Sequence, residues 1–182
     1  MNALFMLGTA LWVGCAPKTA PTLTPKNQIP SSIAITQIDM KTGDHIDVQD
    51  GLSDRLTQTL TRNGYSVKEI SAGDLPSDFD RRRLPTHKAQ AIAQNGDNLV
   101  VLVEAVARFY SQLRGQYRWE VSVEMTVLDP SNPERTLVDE FTVPVFLRFQ
   151  HEKEAEAVVA SGVEIERHLQ RLLDDVATLS RP

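Results

Sequence analysis

Five consecutive apolar residues, Leu99-Val100-Val101-Leu102-Val103, set the strongest constraint on how this chain can fold. A strand that is apolar on both faces must be covered on both faces, so the run predicts an interior strand covered on both sides at its start. It becomes alternating toward Arg108-Phe109-Tyr110, and residues 112–116 around Gly115 read as a turn. Beyond it Trp119, Val121, Val123, Met125 and Val127 alternate with Arg118, Glu120, Ser122, Glu124 and Thr126. That period of two marks a long strand with one wet face, on which Glu124 and its neighbours are expected to be solvated and not a catalytic set. Asp129-Pro130-Ser131-Asn132-Pro133 reverses the chain, and Leu137–Leu147 returns with Phe141, Val143 and Val145 inward. Pro144 has no N–H to give to a ladder, which puts this last strand at an edge.

Before this core lies a strand–helix–strand unit. Ile33–Ile38 reads as a strand, and Val48, Leu52, Leu56 and Leu60 recur every four residues along one helical face. Asn63-Gly64 stops the helix, and Tyr65–Ile70 follows as a strand. Asp39, Asp44, Asp47 and Asp50 lack the spacing of a calcium loop and are expected to serve turns and helix caps. Ser71–Leu84 reads as loop with a short helical turn. Pro85-Thr86 opens a second helix, with Thr86 as its cap, ending at Asn95-Gly96. A last helix, about Glu152 to Leu179, carries an apolar stripe that includes Val158, Ile165, Leu169, Leu172 and Leu173 and is expected to lie across the sheet. The fold class is therefore α+β: a two-layer mixed or antiparallel sheet with helices packed on one face and a long C-terminal helix.

Leu4 to Gly14 is an uncharged, mostly apolar run, too short to cross a hydrocarbon core of roughly 30 Å. Cys15, the only cysteine, follows directly. The Gly14-Cys15 junction resembles the bacterial lipoprotein signal, in which cleavage precedes a cysteine that then carries the lipid anchor, palmitate included. The same residues also fit a secreted protein with a free thiol or a cytosolic protein with an apolar N-terminus. On the lipoprotein reading residues 1–14 are a signal peptide, 15–32 a lipidated cysteine with its tether, and 33–182 a single domain. Pro17, Pro21, Pro25 and Pro30 keep the tether out of helix or strand, and at about 3.1 Å per residue it reaches roughly 50 Å. By the same resemblance, Ala16 in place of Asp after the cysteine implies the inner leaflet of the outer membrane.

Composition narrows the function classes. A net charge of −5 argues against a nucleic-acid binder, and Arg81-Arg82-Arg83, beside Asp78 and Asp80, reads as a solvated loop. No Gly-rich phosphate loop, Gly-x-Ser-x-Gly, Ser-x-x-Lys or His-Glu-x-x-His motif occurs in the sequence. His45, His87, His151 and His168 fall in different elements without ligand spacing, so neither metal nor cofactor is expected. Asp139-Glu140 and Asp174-Asp175 are adjacent and point apart, so no acid–base pair can be nominated, and the chain reads as a non-enzyme.

The helix Val48–Leu60 with Asn63-Gly64-Tyr65, and Ala89–Asn98 running into Leu99–Val103, resemble the mixed α/β domain of small Gram-negative outer-membrane lipoproteins. That domain is shared by the N-terminal part of TolB, the curli secretion lipoprotein CsgG and the penicillin-binding-protein activator LpoB. The part from Gln116 onward is similar to LptE and to auxiliary lipoproteins of lipid-moving ABC transporters. The resemblances imply non-catalytic work: an accessory or scaffold subunit of an envelope assembly, held by lipid at the periplasmic face of the outer membrane. Tyr110, Arg114, Tyr117 and Trp119, near the turn, are the candidate partner contacts, with core packing the competing role for Trp119. The alternative is a lipid or lipopolysaccharide transport accessory with a groove lined by Phe141, Val159 and Leu169. Homo-oligomerisation stays open.

Overall fold

The computed structural model describes residues 28–48, 50–76, 79, 83–148 and 153–179. Cys15, the expected leader, the tether up to residue 27, Arg81, Arg82 and His151 lie outside the described residues.

Among the described residues six strands form one mixed sheet. At its centre β1 (Ile29–Ile38) runs parallel to β4 (Leu99–Leu113), with Ser31 opposite Leu99 and Gln37 opposite Ala105. The other edge of β1 is shared by two strands. β3 (Tyr65–Ile70) pairs parallel with its first residues, and β2 (His45–Asp47) antiparallel with its last. β5 (Gln116–Leu128) and β6 (Leu137–Arg148) continue the sheet antiparallel beyond β4. β6 is the outer strand, as Pro144 requires.

Two local differences from the sequence reading have plain causes. β1 starts at Ile29, so residues 29–32 belong to the domain and not to the tether. Pro30 is tolerated near the start of the strand, where its carbonyl accepts the Asn98 N–H at 2.9 Å. The Asp-rich stretch makes the expected turn, since Asp39 Oδ1 accepts the Lys41 N–H at 2.7 Å and Gly43 takes a φ of 80°. It also yields β2, which at three residues is too short to show a period.

Alternation along the strands sorts the core into two layers. Ile33, Ile35, Val101, Val103, Val121 and Val123 face a helical layer of α1 (Asp50–Arg62), α3 (Glu154–Ala160) and α4 (Gly162–Leu179). Leu52, Leu56, Leu60, Ile165 and Leu169 fill that layer from the helix side. On the other face Ala34, Val100, Leu102 and Leu128 meet Ala89 and Ile92 of α2 (Pro85–Ile92). The apolar run at the start of β4 is thus covered on both sides, and the short α2 is what covers the second. Pro85 occupies the first helical position of α2, with Leu84 before it as a cap without a side-chain bond. Thr86 therefore stands inside the first turn and does not cap it.

The C-terminal helix is broken in two. Ser161 lies between α3 and α4 with its Oγ donating to the Val158 carbonyl at 2.7 Å, and the chain restarts at Gly162. A Cβ on Gly162 would stand 3.3 Å from Leu52 Cδ1, and Leu52 is itself fully buried. The break lets α4 approach α1 closely. Across this contact Arg55 Nη1 and Thr59 Oγ1 donate to Glu166 at 3.0 and 2.9 Å, and these bonds hold the Glu166 carboxyl below its usual range. Gly162→Val is expected to destabilise the domain by about 1–3 kcal/mol through overpacking against Leu52. Urea unfolding of the two proteins measures it, and equal midpoints would show that the contact has slack.

Candidate functional site

The second face of the sheet holds an ion network that joins four elements. Across β4, β5 and β6 three glutamates stand side by side, Glu104 opposite Glu124 and Glu124 opposite Glu140. Directly opposed like charges destabilise a sheet unless a counter-charge intervenes. Lys88 of α2 supplies it: Ala89 and Ile92 bind this helix to the sheet, which turns the neighbouring Lys88 inward. Its Nζ donates to Glu104 Oε2 and, at 2.6 Å, to Glu124 Oε1. His45 of β2 completes the set, its Nε2 lying 2.8 Å from Glu104 Oε1 while its ring meets the edge of Phe79 at 5.1 Å. Lys88 and Glu104 are each only 3% exposed.

The charges are mutually dependent. Burial works to lower the Lys88 pKa, but its bonds to Glu104 and Glu124 and their charges outweigh burial and raise it above the ordinary lysine value. Burial likewise pushes Glu104 up, yet His45 and Lys88 together hold it below the carboxylate range. Glu124 ends above that range, because burial is reinforced by the nearby charge of Glu104 and Lys88 offsets only part of both. An ammonium held protonated between two carboxylates is not a nucleophile. The network acts as a clamp that fastens α2 to the sheet.

Beside the clamp lies an open hollow of about 930 Å³, lined by Lys88, Glu124, Arg108, Ser122, Glu140 and Thr142 among others. Among the described residues α2 covers only the end of this face near Leu102 and Leu128, and Ser122, Glu140 and Thr142 beyond it are exposed. Of the residues expected on the wet face of β5, Ser122 is exposed, Arg118, Glu120 and Glu124 are half-buried, the last tied to Lys88, and Thr126 is buried beneath the second face.

The face ends in the β4–β5 hairpin. Arg114 and Gly115 form its turn with φ values of 50° and 79°, both in the left-handed region that a tight hairpin turn needs. A bulge at Tyr110, between the pairs Phe109–Trp119 and Ser111–Arg118, shifts the register by one residue. The Arg118 guanidinium lies 4.2 Å from the centre of the Tyr110 ring and donates to Glu120 at 3.0 Å. On the helical face Phe109 makes edge contacts with Tyr117 at 5.9 Å and Trp119 at 5.7 Å. Of the candidate contact residues, the hairpin gathers Tyr110, Arg114 and Tyr117 at its end. Trp119 is 6% exposed and belongs to the core, whereas Tyr110 is 58% exposed. Phe109 and Phe146, at 53% and 58%, belong with the exposed set. Sequence reading passed them over because alternation assigns each to a strand without saying where the helical cover stops.

Two histidines read as isolated are not. His45 sits in the clamp, and His168 stacks on Phe141 at 3.6 Å while bonding Asp139 at 2.6 Å. Of the residues named for a lipid groove, Leu169 is buried while Phe141 and Val159 are half-buried. Among the described residues no group of three or more His, Cys, Asp or Glu side chains is arranged to hold a metal ion, and no helix is long and apolar enough to cross a membrane.

The class defined by these observations is an α+β domain with an open mixed sheet. No family model matches the chain, and no curated protein matches it. Among solved structures it is similar to the PelC dodecamer from Paraburkholderia phytofirmans, at 12% identity over 81% of this chain and 91% of that one, with a TM-score of 0.40. It is also similar to lipoprotein GNA1162 from Neisseria meningitidis, at 13% identity over 78% and 99% of the two chains, TM-score 0.38. Rare lipoprotein B from Shewanella oneidensis gives 10%, 81%, 95% and 0.31. Two of these three are named as lipoproteins, but likeness this loose carries no conclusion about what the chain does.

Lys88→Met is expected to cost about 3–5 kcal/mol at neutral pH, because it leaves Glu104 and Glu124 facing each other without their counter-charge. The sign of the pH dependence follows from Glu104. Its lowered pKa contributes stability that is present above the unfolded carboxylate value and lost as pH falls through the folded one. Without Lys88 that contribution is gone, so the deficit of the variant should hold from neutral pH down to about 5 and shrink as pH falls from there through the lowered folded value of Glu104. Denaturant midpoints for both proteins across this range test it, and a deficit independent of pH would refute the clamp.

Proposed function

We propose that this chain is a lipid-anchored envelope protein, held through Cys15 at the periplasmic face of the outer membrane, that serves without catalysis as an accessory or scaffold subunit of an envelope assembly. The observation that most supports this reading is the bare face of β4, β5 and β6. Ser122, Glu140 and Thr142 lie open along it, and the aromatic and arginine side chains of the hairpin stand at its end. A broad polar sheet face of this kind fits a non-obligate protein interface. Pro144 interrupts the outer edge of β6, which favours docking on the face over extension of the sheet. The clamp, with its charges satisfied internally, supports a structural reading of the polar cluster over a catalytic one.

The reading is tested by crosslinking in intact cells, with the native chain and Cys15→Ser compared side by side. The native protein is expected to take up labelled palmitate, to fractionate with the outer membrane and to recover one envelope complex. Loss of all of these in Cys15→Ser is the supporting result. If the substitution leaves fractionation and partners unchanged, the anchored reading is wrong.

A further inference from the structure

The end of the β4–β5 hairpin differs from the rest of the molecule in charge and in surface chemistry. The chain as a whole carries −5, yet the segments 108–120 and 144–148 hold Arg108, Arg114, Arg118 and Arg148 against the single carboxylate of Glu120. Arg108, Arg114 and Arg148 are exposed. The aromatic side chains here lie on both faces of the sheet. Phe109 and Tyr117 stand on the helical face, while Tyr110 packs against Arg118 and Phe146 pairs beside Arg118 on the other. A protein partner docking on a sheet covers one face of it. Exposed aromatic rings on both faces, with Arg114 at the turn and Arg108, Arg118 and Arg148 along the second face, suit the headgroup layer of a bilayer, where aromatic rings concentrate and basic residues meet anionic lipid.

The hairpin end also lies far from the point where the chain enters the domain. β1 begins at Ile29, beside the start of β4, so the chain enters the domain at the end of the sheet opposite the hairpin. The 15 residues of β4 separate the two by roughly 45 Å at about 3.3 Å per residue. We infer that the end of the hairpin, through Phe109, Tyr110, Phe146, Arg114, Arg118 and Arg148, is a docking surface for an anionic phospholipid bilayer. This goes beyond the anchored reading and does not depend on Cys15, because a chain without lipid should still bind.

The test uses the full chain carrying Cys15→Ser, sedimented with vesicles of phosphatidylethanolamine and phosphatidylglycerol or of phosphatidylcholine alone. Binding is expected to the anionic vesicles and to weaken as salt rises. Arg114→Glu with Arg148→Glu, both exposed and without a role in the core, should bind at least about thirtyfold more weakly, the equivalent of about 2 kcal/mol for two arginines at a bilayer surface. A Gln116→Cys version, labelled with an environment-sensitive fluorophore, should shift to the blue on the anionic vesicles. Equal binding to both vesicle types, binding unchanged by charge reversal, or an unshifted label would overturn the inference; binding through the apolar leader would give those results. A photo-crosslinker at Gln116 that captures an acidic protein in cells, from a chain that ignores anionic vesicles, would also overturn it and assign the hairpin to a protein.

Discussion

The parallel pairing of β1 with β4 is the interaction on which the rest of the structure depends. Two adjacent strands buried on both faces cannot exist at a surface, so each face must recruit cover. One face takes α1, α3 and α4; the other takes the short α2. Pairing with β1 ends near Gln37 and Ala105, but β4 runs on to Leu113. Past that point its partner is β5 alone, the demand for cover falls away, and the outer part of the sheet can face water on its second side. The open face and the hairpin end are what remains once the central pair has been enclosed.

A short helix on the second face has little area with which to hold on. α2 brings Ala89 and Ile92 to the sheet, and two small contacts at roughly 25 cal/mol per Å² give it only a modest grip. Lys88 adds a charged hold, and the three-glutamate row supplies what it binds. Isolated buried charges are costly, yet here each acceptor is also bonded, so removing one partner is much worse than having none. The raised Lys88 pKa and the lowered Glu104 pKa express the same coupling from its two ends.

Much of the fold was legible because its signals are local. The apolar run at Leu99–Val103, the alternation from Trp119 to Val127 and the four-residue repeat from Leu52 to Leu60 each lie within one element, and each predicts that element and its covered sides. The clamp was not legible, since His45, Lys88, Glu104 and Glu124 come from four elements brought together only by the order of strands. One signal was present. Glu104 follows five apolar residues in an interior strand, and a charge in such a place demands an opposite charge nearby. The helix break at Ser161 escaped for another reason: the apolar stripe keeps helical spacing through it, while the close approach of Leu52 to Gly162 is a tertiary fact.

The two borders of the sheet differ in what they offer a neighbouring chain. On one side β2 and β3 lie end to end along β1, so its ladder is already occupied for most of its length. On the other, β6 is the exposed border, with Pro144 near the middle of the segment from Val138 to Arg148. A proline is tolerated in a strand where its nitrogen faces away from the neighbour, which leaves a missing donor on the outside. A continuous border would let copies of the domain zip edge to edge into ribbons, whereas an interrupted one limits such pairing to short stretches on either side of the proline.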